Sequence, residues 1–163
     1  MIDCDENESL GIAQYLLGTS VAKLGRGLER GELVLRKIVI STAVELGELI
    51  TLTGEIPEDK VLGGIKPVPP TTFVNGGLKY RVREQLEAME GADIDDGGHL
   101  ETIKRYIDRL EAKEPLDMIA IAVQEDEGYM LVDGNKRAIA YYEICKNGAV
   151  NGIDYPVYVL CRA

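Results

Sequence analysis

This sequence has no long apolar run, a single histidine and no excess of positive charge. No stretch approaches the ~20 consecutive apolar residues needed to cross a bilayer, and the acidic first eight residues have the wrong charge for a secretory signal. The net charge is −10, from 18 basic and 28 acidic residues. Because non-specific nucleic-acid binding needs a basic surface that neutralises phosphates, nucleic acid is disfavoured as the main partner. We therefore expect neither a membrane nor a nucleic acid to be bound.

Cysteine is scarce as well. The three cysteines, Cys4, Cys145 and Cys161, are odd in number and widely spaced. This usage predicts reduced thiols and a cytoplasmic protein rather than a disulfide framework. No group of Cys, His, Asp and Glu has the spacing of metal ligands, so no protein-held metal is predicted.

Length and composition indicate a globular domain of moderate size. The 163 residues are 45% hydrophobic and 28% charged, and a chain of this length can bury a sizeable core. We expect an α+β fold with a small mixed β-sheet flanked by helices. Residues 1–30 are predicted to form a helical N-terminal extension. Residues 31–163 are predicted to form the main domain, with a Pro/Gly-rich loop at about 54–77.

Hydrophobic spacing and turn residues predict the elements of the first two thirds of the chain. One strand, rich in β-branched residues, is predicted at 33–40. Helices are predicted at 8–17, 80–89 and 99–112. A short helix is predicted from a Thr19-Ser20 cap to about Gly25 or Gly27. Another is predicted to begin at Ser41 or Thr42, to run through Leu52 and to stop at Gly54.

The most informative segment, residues 129–142, reads as a short strand, a tight polar turn and a helix. Gly134 suits a turn where a Cβ would obstruct the backbone or a ligand, and Asp133 or Asn135 can cap the helix. Lys136 and Arg137 fall on the first helical turn, where cations oppose the helix dipole. A bound anion, most often phosphate, would resolve that conflict. The alternative is that Asp133 pairs with Lys136 or Arg137 and that the turn is only structural.

The flanking segments predict an ordered set of elements around this turn. Residues 116–123 and 129–132 are strand-like runs separated by a polar turn that ends at Gly128, which is typical of a β-hairpin. The helix after Gly134 is predicted to stop at Asn147-Gly148, and residues 155–160 are predicted to form a closing strand.

This order of elements, with the Asp-Gly-Asn-Lys-Arg turn and the final Tyr-Pro-Val-Tyr-Val strand, resembles the ParB/sulfiredoxin-like superfamily over residues 99–163. The resemblance implies a nucleotide-binding domain in which Gly134, Asn135, Lys136 and Arg137 contact phosphate and Asp133 orients the cations or a metal. It implies ATP, ADP or CTP as the ligand, with Mg²⁺ assisting. Phosphoryl transfer or nucleotide hydrolysis is then the expected reaction class.

Departures from the family pattern narrow this expectation. A sulfiredoxin needs a cysteine at Asn135 and usually a histidine at Lys136, so sulfinic-acid reduction is not expected. A chromosome-partition ParB protein carries a DNA-binding domain downstream, which is not expected after Ala163. The serine-kinase members keep an Asp-Gly before a basic turn, as here.

A kinase of that type needs further groups around the phosphates. Its general base would be a carboxylate after the first strand, and Glu45 and Glu48 are the candidates. Three cations, Lys79, Arg81 and Arg83, are predicted as additional phosphate contacts.

Three other functions stay open. A non-catalytic module that binds a protein partner would keep the fold without the chemistry. The same turn also matches the anion-binding turn of Fic/Doc nucleotidyl and phosphoryl transferases, although their catalytic histidine would fall at Tyr129 and the only histidine here is His99. A DNA-associated ParB-like protein is the third, against which the net charge argues.

Overall fold

A computed structural model of the chain describes residues 1–51, 65, 68, 79–92, 98–117, 119–148 and 153–163. The helices in this part are α1 (Glu6–Leu17), α2 (Ala22–Glu29), α3 (Ala43–Gly47), α4 (Val82–Ala92), α5 (His99–Glu111) and α6 (Asn135–Lys146). The strands are β1 (Ile2–Asp3), β2 (Leu33–Ile40), β3 (Ile50–Thr51), β4 (Tyr80–Arg81), β5 (Ile121–Glu125), β6 (Gly128–Asp133) and β7 (Tyr155–Arg162). None of these helices combines the length and apolar character needed to span a bilayer.

The strands form one mixed sheet in the order β1-β2-β7-β5-β6-β3-β4. The β5–β7 and β3–β6 pairs are parallel, and the others are antiparallel. The expected α+β class with a mixed sheet and flanking helices is therefore confirmed.

Side chains alternate between the two faces of the sheet, and helices cover both. On β7, Val157 and Val159 belong to the core under α3, α4, α5 and α6, whereas Leu160 belongs to the core under α1 and α2. Alternation of this kind is what the period-2 geometry of a strand imposes. The predicted N-terminal extension thus lies against the sheet itself, and β1 pairs with β2.

The first two helices pack unusually closely. A Cβ on Gly25 would lie 2.7 Å from the carbonyl oxygen of Ala13, so glycine is needed where α2 meets α1. Gly25 and Gly27 are buried inside α2 and do not end it. The helix runs two residues past Gly27, to Glu29, because close packing and not chain termination explains these glycines: Gly25 faces α1, and Gly27 faces Leu33 of β2. The predicted Thr19-Ser20 cap is also absent, since Val21 precedes the helix and no side chain caps it.

The helix predicted from Thr42 to Leu52 is much shorter. Thr42 does cap it, by accepting a hydrogen bond from the Glu45 amide, but α3 ends at Gly47. Residues Ile50–Thr51 instead pair with β6 and β4. Sheet pairing overrides helix propensity here, and in the same way Tyr80–Arg81 forms β4 before α4 begins. Gly54 and nearly all of the predicted loop at 54–77 lie outside the described residues.

The C-terminal prediction agrees closely with the structure. The hairpin, the helix and the closing strand all form, although β5 begins at Ile121 rather than at Leu116. Its side chains from Ile121 to Val123 are completely buried. The sheet and α6 together fix the turn between β6 and α6 in place.

Candidate functional site at the N-terminus of helix α6

Gly134 joins β6 directly to α6. It is buried, its backbone is left-handed with φ 85°, and a Cβ there would lie 2.5 Å from the carbonyl oxygen of Ile119. The predicted need for glycine is confirmed, and the close approach is to the chain's own backbone. The predicted cap by Asp133 or Asn135 is wrong, because Gly134 itself occupies the N-cap position of α6.

A cleft of about 310 Å³, which we call the α6 cleft, opens at this turn. It is lined by residues 132–137 on one side and by His99 and Tyr106 of α5 on the other. The first hydrogen bond inside α6 runs from the Ala138 amide to the Gly134 carbonyl. The amides of the first turn therefore have no carbonyl acceptor within their own helix, as at any helix start.

The two cations of the turn have different surroundings. Arg137 is largely buried and is held by the chain: its Nη2 lies 3.3 Å from Asp133 Oδ2, and its Nη1 donates to the Asp117 carbonyl at 2.9 Å. Its Nη1 also lies 3.8 Å from the Asp117 carboxylate. An ion pair between Asp133 and Lys136 or Arg137 was the alternative to a phosphate site. Such a pair is present, and it is formed with Arg137.

Lys136 is the other cation of the turn, and it is half-buried in the cleft wall. The part of the chain that the structure describes gives its ammonium no ion pair and no hydrogen bond. A cation on the first turn of a helix is electrostatically unfavourable unless an anion is near. Lys136 is therefore the cation of this turn that is available to a ligand.

Asp133 also connects the turn to the N-terminal helix. The Tyr15 hydroxyl donates a hydrogen bond of 2.8 Å to Asp133 Oδ2. This bond raises the pKa of Tyr15 above its ordinary value, because the phenol must stay protonated to donate. Tyr15 was not predicted as part of the site, since a contact across 118 residues leaves no local signal in the sequence.

Sequence reasoning also missed the second wall of the cleft. His99 was set aside because it is far from the turn in sequence, yet α5 packs along α6 and places it in the cleft. Its Nδ1 atom is buried and has no hydrogen-bond partner among the described residues.

Comparison of the chain with models of protein families, with curated proteins and with solved structures gave no match.

The structure does not bring the predicted carboxylate base to this cleft. Glu45 and Glu48 line a second cleft of about 330 Å³ together with Arg81, at residues 127–129. We call it the hairpin cleft. It lies where β6 begins, and the α6 cleft lies where β6 ends, about 17 Å further along the strand at ~3.3 Å per residue.

The other cations predicted to contact phosphate also lie away from this cleft. The Arg81 guanidinium donates to the carbonyls of Glu48 and Glu127. Arg83 pairs with the Glu48 carboxylate. Lys79 is buried, and the loss of solvation lowers its pKa. None of the three is among the described residues that line the α6 cleft. Within the described ranges, no three Cys, His, Asp or Glu side chains are grouped to hold a metal ion.

Tyr155 is buried in the core near Arg137. Its ring stacks on Tyr141 with centroids 5.3 Å apart, only 1% of it is exposed, and no other described residue forms a hydrogen bond with its hydroxyl. Burial raises the pKa of this phenol well above its ordinary value, and the nearby Arg137 charge acts in the opposite direction.

Tyr155→Phe is therefore expected to leave the protein as stable as before or up to about 2 kcal/mol more stable at pH 7, because an unpaired buried hydroxyl is removed. Because the pKa of Tyr155 is higher in the folded protein than in the unfolded chain, ionisation of the phenol favours unfolding once the pH exceeds the unfolded value of 10.0. The wild type therefore loses stability above pH 10, whereas the phenylalanine variant has no phenol to ionise at this position. The advantage of the variant should therefore grow as the pH rises above 10. Urea unfolding at pH 7 and at pH 10.5 tests both statements, and a clear loss of stability at pH 7 would contradict them.

Proposed function

We propose that this protein binds a nucleotide or another phosphorylated small molecule in the α6 cleft, as a ParB/sulfiredoxin-like protein, and that phosphoryl transfer or nucleotide hydrolysis is its reaction class. One observation carries the proposal: Lys136, which has no ion pair or hydrogen bond within the described part of the chain, stands on the first turn of α6, close to a left-handed glycine, inside a cleft.

The electrostatics of the helix start support an anionic ligand. The first-turn amides and the helix dipole together present partial positive charge, and Lys136 adds a full charge. Without a ligand these charges repel one another. A phosphate in the cleft would accept hydrogen bonds from the amides and neutralise Lys136 at the same time.

Each residue of the turn then has a distinct role. The backbone at Gly134 and Asn135 donates hydrogen bonds to phosphate oxygens, and Lys136 neutralises their charge. Asp133 holds Arg137 at the edge of the cleft, so Arg137 acts as a fixed cation rather than a mobile one. A nucleotide would bring Mg²⁺ with it, and positioning and charge stabilisation would supply most of the catalysis.

A protein-binding module without catalysis is the second candidate, and the hairpin cleft is the observation that favours it. Apolar side chains of Ile38, Ile40 and Leu49 line this cleft. On α3, which contributes Glu45 to this cleft, Val44 is 75% exposed. Apolar clefts and exposed apolar side chains are typical of interaction surfaces.

Lys136→Ala is expected to abolish phosphate binding without weakening the fold. The unliganded variant should be as stable as the wild type or up to about 1 kcal/mol more stable, because a cation that opposes the dipole is gone. A ligand at 100 times its dissociation constant should stabilise the wild type by about 2.7 kcal/mol and the variant not at all. The measurement is a thermal-shift screen with ATP, ADP, CTP, GTP and pyrophosphate, each with and without Mg²⁺.

Lys146→Ala is the matched control, since it removes a lysine from the last turn of the same helix. It should keep the full ligand-induced shift. Equal loss of the shift in both variants would show a general charge effect and not a site. If no compound shifts the wild type, the nucleotide proposal fails and the protein-binding module becomes the better interpretation.

A further inference from the structure

The hairpin cleft has an apolar lining that is open to solvent. Ile38 and Ile40 of β2 line it, and so do Leu49 and Tyr129. Ile38 and Tyr129 are only half-buried, so part of this lining is in contact with water. Because burial of apolar surface is favourable, a ligand that covers these side chains gains free energy.

Arg81 joins two walls of the hairpin cleft. Its guanidinium donates to the Glu48 carbonyl at 2.7 Å, at the end of α3, and to the Glu127 carbonyl at 2.9 Å, in the turn between β5 and β6. Only 19% of the Arg81 side chain is exposed. These hydrogen bonds hold the end of α3 against the hairpin turn, so a ligand does not have to organise the cleft when it binds.

The carboxylates that line the cleft are unevenly neutralised. Glu48 faces two arginines, because its carboxylate pairs with Arg83 and lies 4.0 Å from Arg81 Nε. Glu45 accepts hydrogen bonds from hydroxyl groups at the start of α3. Within the described ranges, neither Glu45 nor Glu127 has a cation as a partner, and both are exposed. Two negative charges therefore stand beside an apolar lining without counter-charges.

We propose that the hairpin cleft binds a basic segment of a protein partner and takes up one of its lysine or arginine side chains. The aliphatic stem of that side chain covers the apolar lining, and its charged end pairs with Glu45 and Glu127. Only lysine and arginine combine a long apolar stem with a positive charge at neutral pH. This inference rests on the protein-binding candidate and not on nucleotide binding, because the two clefts lie at opposite ends of β6.

The size of the cleft and the charge of the whole chain agree with this partner. The volume of about 330 Å³ is less than that of one turn of an α-helix, which is about 5.4 Å long and 10–12 Å wide. The cleft therefore accepts a side chain of the partner rather than a whole helix. The net charge of −10 attracts a basic segment and speeds its encounter with the protein.

Three peptides that differ at one position test the proposal. The first is acetyl-Gly-Ala-Lys-Ala-Gly-amide. In the second, norleucine replaces lysine and keeps the stem without the charge, and in the third, diaminopropionic acid keeps the charge on a shorter stem. In the ¹⁵N-labelled protein, the lysine peptide should shift the amides of residues 45–49 and 127–129 and leave those of residues 135–137 unchanged. Each of the other two peptides should bind about five-fold more weakly or worse.

The outcomes separate this inference from the functions proposed above. If the norleucine peptide binds as tightly as the lysine peptide, the cleft still binds a protein segment, but the basic partner is overturned. If the diaminopropionic acid peptide binds as tightly, the role of the apolar lining is overturned. If no peptide shifts the amides of the cleft, this inference and the protein-binding candidate fail together, and the nucleotide proposal stands.

Two variants of the protein test the carboxylates. Glu45→Gln and Glu127→Gln should each weaken binding of the lysine peptide about two- to five-fold, as expected for an exposed ion pair, and added salt should reduce the difference. Asp126→Asn is the matched control, since Asp126 lies in the same turn but is not among the described residues that line the cleft. It should bind the peptide almost normally. An equal loss in Asp126→Asn and Glu127→Gln would show a general charge effect and overturn the site.

Discussion

Gly134→Ala is expected to lower the free energy of unfolding by about 3 kcal/mol, one of the two largest effects predicted for this protein. Two costs add up. A left-handed conformation costs a non-glycine residue roughly 1–2 kcal/mol, and overpacking costs a further ~1–3 kcal/mol. The second arises because the new Cβ would lie 2.5 Å from the Ile119 carbonyl oxygen, a backbone atom that cannot turn away. Urea unfolding followed by circular dichroism measures the loss.

Gly31→Ala separates the two costs. Gly31 has a similar φ of 73°, but nothing lies within 4 Å of its Cβ position. This control should lose only the conformational part, about 1–2 kcal/mol. Equal losses in the two variants would show that the Ile119 carbonyl moves aside and that the turn is less rigid than described.

Arg137→Ala is expected to cost about 1–3 kcal/mol of stability even without any ligand. Only 15% of the Arg137 side chain is exposed, and its removal leaves the Asp133 carboxylate without its cation and the Asp117 carbonyl without its donor. The neighbouring Lys136→Ala change should cost nothing. Adjacent residues of the same charge and the same turn are thus expected to differ by more than 1 kcal/mol in their effect on unfolding.

A double-mutant cycle with Asp133→Ala checks the cause of this difference. If the ion pair accounts for the loss, the two changes should be strongly non-additive. Additive losses would mean that Arg137 stabilises the fold through packing. In either case an Arg137 variant is less stable before any ligand is added, so its ligand-induced shift must be measured against its own unliganded stability. Replacement of Lys136 should cost no stability, and a change in its ligand-induced shift therefore reports on binding alone.

Local pattern predicted most of the elements. The β-branched run at Leu33–Ile40 and the apolar spacing of α6 are local signals, and both elements formed as expected. Gly134 was predicted as a required glycine from turn chemistry alone. Errors arose where tertiary contact outweighed local preference, as at Ile50–Thr51, which joins the sheet although the sequence favours a helix.

The candidate site was predicted only in part, for a physical reason. The turn from Asp133 to Arg137 is contiguous, so its chemistry is visible in the sequence. Tyr15 and His99 reach it only through packing of separate helices, and no spacing in the sequence encodes such a contact. Glu45 was placed at the turn because it follows the first strand, but the course of α3 leads to the opposite end of β6.

The hydrogen bond from Tyr15 makes the first helix a partner in whatever occurs at the turn. Asp133 accepts from Tyr15 and holds Arg137 through the same carboxylate oxygen. Loss of Arg137 would leave more of that oxygen to Tyr15, and release of α1 would leave more of it to Arg137. Because such coupling is reciprocal, the docking of the N-terminal helix and the ion pair of the turn belong to a single thermodynamic linkage.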